Sequence, residues 1–389
     1  MSAIRQVSAV TLMNLRSIAG RRAASFVVVV GMAAVVAVVI SVLSMSSGFL
    51  NTVGKTGRAD RAIVLSTSAV SRGGSSLPRE AIPLIADAPG VIKDADGKPL
   101  VSADVFATME MIKQSDGLFA PATVHGVGPQ AFKLFPQIRL ISGRMFNPAL
   151  HELVVGRLAQ TQFAGFEVGS KISLPEGDWT IVGNFESDAD QHESELIGDA
   201  ETIMSAYQRT DFNDVTVMLD SPAAFERFQS ALASNPALKL QVVRESVYFA
   251  KLAKPLTDFM TLVAYAVGGI MGLGAVLGAL NTMYSAVSGR AVEIATLRAI
   301  GFGPVPIVVS VLVETLLLTC VGAFFGTALA WLAFDGKPAF SDYYIYRMTV
   351  GPGLIALGIA IAAAVGLAGG LFPAIRAARQ PVAAAFRAN

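Results

Sequence analysis

The sequence predicts a membrane protein in which four transmembrane helices hold one large extracytoplasmic α+β domain. Of its 389 residues, 53% are hydrophobic and only 15% are charged, and the mean hydropathy is +0.56. Soluble globular domains carry about 25% charged residues, so part of this chain must lie in lipid. The formal net charge of +1 gives no reason to expect a nucleic-acid partner. Cys320 is the single cysteine, so no disulfide can form within one chain and the exposed domain must be held by its own core.

Four apolar segments are long enough to cross a bilayer, because a spanning helix needs about 20 apolar residues. We predict spans at residues 23–45, 257–287, 305–334 and 350–372. The first segment is longer than the apolar region of a cleaved signal peptide, which has about 7–15 residues. We therefore interpret it as a retained anchor.

Positive charges near the ends of the spans predict their orientation. Arginines precede the first span, lie between the second and third, and follow the fourth: Arg5, Arg16, Arg21, Arg22, Arg290, Arg298, Arg376, Arg379 and Arg387. The loop 335–349 balances its basic residues with acidic ones. We expect residues 1–22, 288–304 and 373–389 to be cytoplasmic and residues 46–256 to be outside.

The segment 46–256 has the pattern of two β-α-β units around an insertion. Strands are predicted at 61–69, 101–113, 214–220 and 238–245, and helices at 77–91 and 222–235. This order is typical of a split, ferredoxin-like sheet. The insertion, at about 122–210, is rich in strands and turns. It includes a strand leading into a helix at 152–165 and a hairpin that turns at Glu176-Gly177-Asp178.

The stretch GFLNTVGKTG, residues 48–57, contains the tripeptide GKT of phosphate-binding loops. Five residues separate Gly48 from Gly54, whereas a phosphate-binding loop needs four, between a strand and a helix. We therefore expect a juxtamembrane turn here.

The stretch ESDADQHESE, residues 186–195, clusters carboxylates around His192. It lacks the regular spacing of an EF-hand, so we expect a solvated acidic loop. The other histidines, His125 and His151, have no serine or cysteine nucleophile at a recognisable spacing. The sequence therefore predicts no catalytic, cofactor or metal site on this chain.

The second span is rich in glycine, with Gly268, Gly269, Gly272, Gly274 and Gly278. Gly268/Gly272 and Gly274/Gly278 are four residues apart, so small side chains share one helix face and allow another helix to approach closely. Two interpretations stay open, packing within one subunit or the seam of a dimer. The third span carries the similar pair Gly322 and Gly326.

Glu314 is a charged residue inside the third predicted span. A charge at the bilayer centre costs roughly 2.5–3.5 kcal/mol on insertion scales, and less nearer the interface. We expect Glu314 to face protein, to pair with a cation or with backbone, and to have a structural or coupling role.

The loop SGRAVEIATLRAIGFGPVP, residues 288–306, predicts a short amphipathic helix at the cytoplasmic surface. Arg290 and Glu293 are three residues apart and can pair on a helix. An apolar stripe is formed by Ile294, Leu297 and Ile300, and the helix ends at Gly301. The stripe could rest on lipid headgroups or fit a groove on a partner.

These stretches together resemble the permeases of the MacB–FtsX–LolC superfamily of ABC transporters over nearly the whole chain. NLRSIAGRR (14–22) looks like the amphipathic helix that precedes the family's first span. GRAVEIATLRAIGF followed by Glu314 resembles the motif R-x-x-E-I-x-x-L-R-A-x-G-A with a glutamate in the next helix. GGLFPAIRAARQPVAAAFR (369–387) resembles the closing segment G-x-x-P-A-x-x-A-A-x-x-x-P-x-x-A-L, and ISGRMFNPALHELVVG (141–156) is similar to part of the periplasmic core domain.

The resemblance implies a ferredoxin-like porter part with an inserted strand-rich subdomain, and a permease that works as a homodimer or heterodimer. It implies that the loop 288–302 is the coupling helix, which docks on an ATPase. The implied coupling residues are Arg290, Glu293, Ile294, Leu297, Arg298 and Gly301. ATP and Mg²⁺ would bind to a separate ATPase subunit, because this chain has no room for one. Ala295 and Phe302 depart from the usual glycine and alanine of the motif, which bears on the details of docking.

The implied function is that of a type VII permease in a bacterial cytoplasmic membrane, which turns ATP hydrolysis on its partner into conformational work outside the membrane. The expected work is export of an amphiphilic, lipid-like or peptide substrate with a periplasmic adaptor protein. Two alternatives stay open: a mechanical device that activates an extracytoplasmic protein such as a cell-wall hydrolase, and a receptor or scaffold without an ATPase.

Overall fold

The computed structural model describes residues 6–7, 10–13, 22–234, 239–341 and 344–379. Apart from Arg22, the predicted helix at 14–22 lies outside the described residues. The last part of the closing segment, from Gln380 onward, also lies outside them. The expectations for these two stretches stay predictions.

In chain order the helices are α1 (Arg22–Thr56), α2 (Ala81–Ala86), α3 (Ala131–Leu134), α4 (Arg157–Gln162), α5 (Ala200–Ala206), α6 (Phe225–Ala233), α7 (Glu245–Ser288), α8 (Ala291–Ala299), α9 (Pro304–Phe334) and α10 (Pro352–Arg379). The strands are β1 (Arg61–Ser66), β2 (Val101–Ile112), β3 (Phe119–Val127), β4 (Arg139–Gly143), β5 (Glu152–Gly156), β6 (Lys171–Leu174), β7 (Gly177–Glu186), β8 (Glu195–Asp199), β9 (Asp214–Met218), β10 (Leu240–Arg244), β11 (Pro338–Ser341) and β12 (Tyr344–Arg347).

The chain divides into two compact units. A helical unit holds the residues up to Ser47, Leu256–Lys337 and the residues from Met348 onward, and a sheet unit holds Gly48–Pro255 and Pro338–Arg347.

Within the described residues, four helices are long and apolar enough to cross a membrane, namely α1, α7, α9 and α10. This confirms the predicted number of spans. Both α1, with 35 residues, and α7, with 44 residues, are longer than predicted. At 1.5 Å per residue each exceeds the roughly 30 Å of hydrocarbon. The expected turn at 48–57 is wrong, because α1 stays helical to Thr56 and buries Phe49 and Val53 among residues of the sheet unit.

In the helical unit, α1 and α9 approach closely at small residues. A Cβ added to Gly322 would lie 2.7 Å from the Cβ of Met32, and one added to Gly326 would overlap the carbonyl oxygen of Ala33. The core between α1, α9 and α10 contains Met32, Val35, Val36, Ile40, Ala323, Ala330, Ala362 and Val365. Close packing within the chain is therefore the role of the glycine pair in the third span.

The sheet unit is built on the predicted ferredoxin-like pattern. Among the described residues ten strands form one sheet, in the order β10-β1-β9-β2-β3-β8-β5-β7-β4, and β6 pairs with β7. The first four strands are all antiparallel to their neighbours, so the units β1-α2-β2 and β9-α6-β10 interleave. Helices cover this part because the apolar side chains of β1 and β9, such as Val64 and Val217, pack with Phe225 and Phe228 of α6.

The insertion occupies the chain between Ile112 and Asp214 and extends the same sheet. We predicted that the insertion begins at about residue 122. Its first strand, β3, begins earlier, because β2 folds back directly onto β3 as an antiparallel pair. The pairs β3–β8 and β5–β7 are parallel, so the extended sheet is mixed. The hairpin of β6 and β7 turns slightly before the predicted position, where Glu176 adopts a φ of +68°.

The loop between α9 and α10 forms a hairpin of β11 and β12, which we did not predict. The hairpin belongs to the sheet unit. Ile345 joins the core of the insertion and Tyr346 is fully buried, with its ring centroid 5.2 Å from that of Phe49. A loop that looked like a simple connection is therefore part of the core of the sheet unit.

Candidate functional site

The predicted amphipathic helix forms as α8, between two breaks in the helical chain. Its end at Ile300 is followed by Gly301 with a φ of +97°. The amide of Gly301 donates to the carbonyl of Arg298, and the amide of Phe302 donates to the carbonyl of Leu297. These two bonds form a Schellman motif, which needs a left-handed residue and so favours glycine. Pro304 then occupies the first turn of α9, where a missing amide hydrogen costs nothing.

Arg290 links the surface of α8 to the interior of the helical unit. Its Nε lies 3.0 Å from Oε2 of Glu293, and its Nη1 lies 3.7 Å from Oε2 of Glu314. The Glu293 side chain is 59% exposed, whereas that of Glu314 is 3% exposed. The structure thus identifies Arg290 as a cation partner for the charge that we expected to be paired. Removing one partner of a buried ion pair typically costs about 3–5 kcal/mol.

The predicted apolar stripe of α8 divides between two directions. Ile294 packs with the buried cluster that includes Met283, Ile307 and Ala377, while Leu297 is half-buried. Ile300 is instead 68% exposed. Ile294 therefore packs α8 against its own chain.

Arg298 also faces inward, since its Nη1 donates to the carbonyl oxygen of Ala378 at 2.9 Å. The face of α8 that remains exposed carries Val292 (41% exposed), Glu293, Thr296, Ala299 and Ile300. We call these five residues the exposed face of α8. It is a small apolar surface with one carboxylate, on a helix fixed from behind by two arginines.

The glycines of α7 have two different surroundings. A Cβ added to Gly268 would meet the side chain of Val39 on α1, so this position packs within the chain. At Gly272, Gly274 and Gly278 a Cβ would have no neighbour within 4 Å among the described residues. Large side chains beside them are exposed, as in Ile270, Leu273 and Leu277. With 3.6 residues per turn, Gly272 shares the side of Gly268, whereas Gly274 and Gly278 share another side of α7. The side with Gly274 and Gly278 is open among the described residues.

The expectation of a solvated acidic loop at 186–195 is wrong. Ser187 and all six residues from Asp190 to Glu195 are at most 3% exposed. The loop folds into a short 3₁₀ turn at Gln191–Ser194, which Asp190 begins by accepting a hydrogen bond from the amide of His192. Carboxylates can be buried in this way because each one has protein donors in place of water.

These residues belong to a buried polar cluster of the sheet unit. Nδ1 of His125 lies 2.8 Å from Oε2 of Glu195, and its Nε2 lies 3.5 Å from Oδ2 of Asp104. Arg72 pairs with the same Asp104 at 3.0 Å and also with Asp214. Nearby, His192 lies 3.1 Å from Asp190. The cluster thus connects β2, β3, β8, β9 and the loop after β1.

Electrostatics within the cluster favour the ionised forms of His125 and Glu195. Burial alone would lower the pKa of His125, but the carboxylates of Glu195 and Asp104 outweigh it and raise the pKa from 6.5 to about 9. Burial alone would raise the pKa of Glu195, but His125 outweighs it and lowers the pKa from 4.5 to about 2. The two groups therefore form a charged pair at neutral pH.

Sequence reasoning missed Arg72, Asp104 and Asp214 altogether. The available signal was the position of Asp104 within the apolar strand VSADVF and of Asp214 at the start of DVTVML. A carboxylate in a strand that is buried on both faces requires a cationic partner. The partner Arg72 lies in the loop that follows β1. In the described residues, no group of three or more His, Cys, Asp or Glu side chains is arranged to hold a metal ion.

The chain combines four apolar helices long enough to span a membrane, a ferredoxin-like sheet unit with an insertion, and a short interhelical helix before a buried glutamate. These features are those of a membrane permease of the ABC transporter type. Residues 25–235 match the family model described as the MacB-like periplasmic core domain, and residues 265–382 match the FtsX-like permease C-terminal model. The first match covers more than half of the chain. The protein therefore belongs to the MacB/FtsX family of ABC transporter permeases.

A similar curated protein is the macrolide export ATP-binding/permease protein MacB of Pasteurella multocida (strain Pm70), which is 27% identical over 281 residues. The alignment covers 68% of this chain but 42% of the relative, so the chain spans less than half of that protein. Among solved structures, the periplasmic region of MacB from Actinobacillus actinomycetemcomitans covers 53% of this chain at 11% identity with a TM-score of 0.38. The extracellular domain of the transporter YknZ from Gram-positive bacteria covers 47% at 14% identity with a TM-score of 0.35.

Proposed function

We propose that this chain is the permease subunit that couples ATP hydrolysis on a separate ATPase subunit to conformational work on the far side of the membrane. The observation that carries the proposal is the double contact of Arg290, with exposed Glu293 on one side and buried Glu314 on the other. A force applied to the exposed face of α8 would be transmitted directly to α9 through this arginine. The family membership supports the same assignment.

The spans are also joined to the sheet unit within helices. The boundaries between the two units fall inside α1, after Ser47, and inside α7, after Pro255. The sheet unit is then the part on which the work is done, outside the cytoplasm, with both chain termini and α8 on the cytoplasmic side. ATP and Mg²⁺ would be bound by the partner.

The first test is affinity purification of the chain from its native membranes in mild detergent, followed by identification of a co-purifying P-loop ATPase. We expect the double variant Val292→Ala with Ile300→Ala to lose the ATPase, because truncating a buried hot-spot residue of an interface costs about 2 kcal/mol or more. Binding should weaken by tenfold or more, since about 1.4 kcal/mol corresponds to a factor of ten.

The matched control is the double variant Leu329→Ala with Leu332→Ala, which truncates two exposed side chains near the other end of α9 (61% and 70% exposed). This variant should keep the ATPase. Retention of the partner by the α8 variant, or equal loss in both variants, would count against α8 as the docking helix. A clean preparation without any ATPase would favour the receptor or scaffold alternative.

For the dimer, we propose that the open face of α7 at Gly274 and Gly278 meets a second permease subunit. Small residues let helix backbones approach closely in lipid, and at these two positions no described part of the same chain does so. The data support a homodimer and a heterodimer equally, since either could present a matching face.

For the work itself, we propose export of an amphiphilic, lipid-like or peptide substrate with an adaptor protein. The support is the similarity to a protein whose name describes macrolide export. ATPase stimulation by candidate substrates in reconstituted membranes tests this proposal. Stimulation by a bound cell-wall hydrolase alone, together with a division defect in a deletion strain, would favour mechanical signalling instead.

A further inference from the structure

Contacts within the sheet unit identify the end of the unit that is tethered to the membrane. Four residues are the points at which the chain leaves this unit for a spanning helix: Gly48, Pro255, Pro338 and Arg347. Pro338 pairs with Arg347 at the open end of the β11–β12 hairpin. The ring of Phe49, next to Gly48, lies 5.2 Å from the ring of Tyr346. Three of the four exits are therefore neighbours at one end of the unit.

The turn between β2 and β3 lies at this same end. We call residues 112–119 the tip of the β2–β3 hairpin. Nζ of Lys113 lies 5.3 Å from the ring centroid of Phe340, and Lys113 forms a β-bridge with Phe163, whose ring also contacts that of Phe340. Phe340 follows the exit at Pro338 by two residues of strand, or about 7 Å. The tip is therefore beside an exit that leads to a span.

The tip exposes large apolar side chains. Ile112 is 45% exposed, Leu118 is 62% exposed and Phe119 is 67% exposed. Ile112 and Phe119 are directly opposite each other in the antiparallel pair, so their side chains share one face of the hairpin with Cβ atoms about 5 Å apart. Contiguous exposed apolar groups of this kind mark a surface that meets a protein or a membrane.

The charges at the tip allow a shallow contact with lipid. The two charged residues of the tip pair with each other, since Nζ of Lys113 lies 2.7 Å from Oδ2 of Asp116, and the other tip residues are uncharged. The next charge on the face of Ile112 is the exposed Glu110, which lies about 7 Å further from the tip. A carboxylate is costly within hydrocarbon, so Glu110 limits the contact to the depth of the headgroups.

We infer that the tip of the β2–β3 hairpin is embedded in the headgroup region of the bilayer and that its partner is lipid. Lipid is favoured over a protein partner because the tip lies beside an exit to a span, and a span is surrounded by lipid at that level. Since the tip has no net charge, apolar contact holds it there rather than attraction to anionic headgroups. The inference requires that the spans lie in the membrane, but it does not require an ATPase.

The experiment measures the surroundings of a fluorophore in the full chain, purified without a partner and reconstituted in vesicles of phosphatidylcholine. Cys320→Ser first removes the single thiol of the sequence. Ser115→Cys then carries the fluorophore at the tip and leaves its apolar side chains in place. Two quenchers are compared, a phosphatidylcholine with a nitroxide close to its headgroup and iodide in the water.

The matched control is Leu150→Cys, at an exposed position (48%) near the opposite end of the sheet. Leu150 precedes β5, where Leu153 is aligned through Gly198 of β8 with Gly126 of β3. Gly126 is seven residues of strand from Phe119, which is about 23 Å. The control position is therefore well beyond the reach of the headgroups if the tip is embedded in them.

We expect the lipid quencher to reduce the emission at residue 115 and iodide to leave it nearly unchanged, with the opposite result at residue 150. Leu118→Ser with Phe119→Ser should lower the ratio of lipid to iodide quenching at residue 115 about tenfold, because apolar area is lost from the contact. Leu140→Ser with Ile141→Ser removes two exposed apolar side chains from β4 (41% and 50% exposed) and should leave the ratio unchanged. Added salt should also leave it unchanged.

Iodide quenching as strong at residue 115 as at residue 150 would show that the tip is in water and would overturn the inference. Protection of residue 115 from both quenchers would show that protein, such as a second copy of the chain, covers the tip in place of lipid. An unchanged ratio in the Leu118→Ser, Phe119→Ser protein would contradict the role of the apolar side chains. The comparison of the two labelled positions needs no change in the apolar patch, so it decides the question even if that double variant does not fold. No ATPase is present, so the result is independent of the docking test on α8.

Discussion

At the scale of single residues, this protein buries charge in the sheet unit and pairs it there. The cluster has two cations, Arg72 and His125, and three carboxylates, Asp104, Asp214 and Glu195. Ion pairs of this kind add little net stability compared with apolar residues, but losing one partner leaves a buried charge unpaired. The stability of the sheet unit should therefore depend on the protonation of the cluster.

We predict a pH dependence that the shifted pKa values determine. The folded pKa of His125 is about 9, above its ordinary 6.5, so its ion pair stabilises fully below pH 6.5 and is lost as pH rises through about 9. The folded pKa of Glu195 is about 2, below its ordinary 4.5, so its contribution is present above pH 4.5 and is lost as pH falls towards 2. Between pH 6.5 and 9 the free energy of unfolding should fall by on the order of 3 kcal/mol.

The measurement is urea unfolding of the detergent-solubilised chain, followed by the fluorescence of buried Trp179 in a Trp331→Phe background. His125→Gln should flatten the slope between pH 6.5 and 9, leaving a smaller part due to His192. His151→Gln, a histidine outside the cluster, should preserve the slope. An unchanged slope in His125→Gln would show that the pair does not titrate as described.

At the scale of elements, glycine has two roles in the spanning helices. In α9, Gly322 and Gly326 allow the backbone of α1 to approach closely, and there a methyl group has no room. In α7, Gly272, Gly274 and Gly278 face open space in the described chain. The same residue type at the same spacing thus supports packing within the chain in one helix and leaves a free face in another.

A matched pair of substitutions tests this difference. Gly326→Ala should destabilise the helical unit by about 1–3 kcal/mol, because the added methyl forces α1 and α9 apart. Gly274→Ala should not lower stability, since the methyl meets nothing and alanine favours a helix over glycine by about 1 kcal/mol. Thermal unfolding in detergent, followed by size-exclusion chromatography, measures both.

An equal loss of stability in the two variants would contradict the assignment of roles. If Gly274→Ala keeps the melting temperature but shifts the protein towards monomer, the open face is an interface between subunits. The melting temperature comes from the thermal unfolding, and the oligomeric state comes from the chromatography.

At the scale of the whole molecule, the hairpin of β11 and β12 has a consequence for how the chain is connected. The chain leaves the helical unit at Lys337, enters the core of the sheet unit through Ile345 and Tyr346, and returns at Met348. With the boundaries inside α1 and α7, the chain passes between the two units four times.

We predict that Tyr346→Ala destabilises the sheet unit by about 3 kcal/mol or more, since truncating a buried aromatic ring leaves a cavity. Tyr346→Phe is the control. The hydroxyl of Tyr346 is buried without a hydrogen-bond partner, so its removal should be neutral or stabilising. Limited proteolysis of the sheet unit in the intact protein measures both variants, and equal protease sensitivity would show that the ring is not part of the core.

The sequence by itself determined the features that arise from local and periodic signals. The four spans follow from the length of apolar runs, and the β-α-β units follow from alternation and from the turn residues between elements. The helix α8, with its end at Gly301 and its pair of Arg290 and Glu293, follows from spacing within one turn. The motifs that resemble the MacB/FtsX family lie in the same short stretches, which is why the class was accessible before the structure.

Only the tertiary structure decided which polar residues are buried and what they meet. His125 and Glu195 are 70 residues apart in the chain, and Arg72 and Asp214 are 142 apart, so no local pattern reveals their pairing. The same reason explains why the burial of the acidic stretch 186–195 was not predicted. Its composition is typical of a solvated loop, and the residues that bury it come from distant parts of the chain. It also explains why only part of the apolar stripe of α8 is buried. Which side chains of a helix are buried depends on the helices that pack against it.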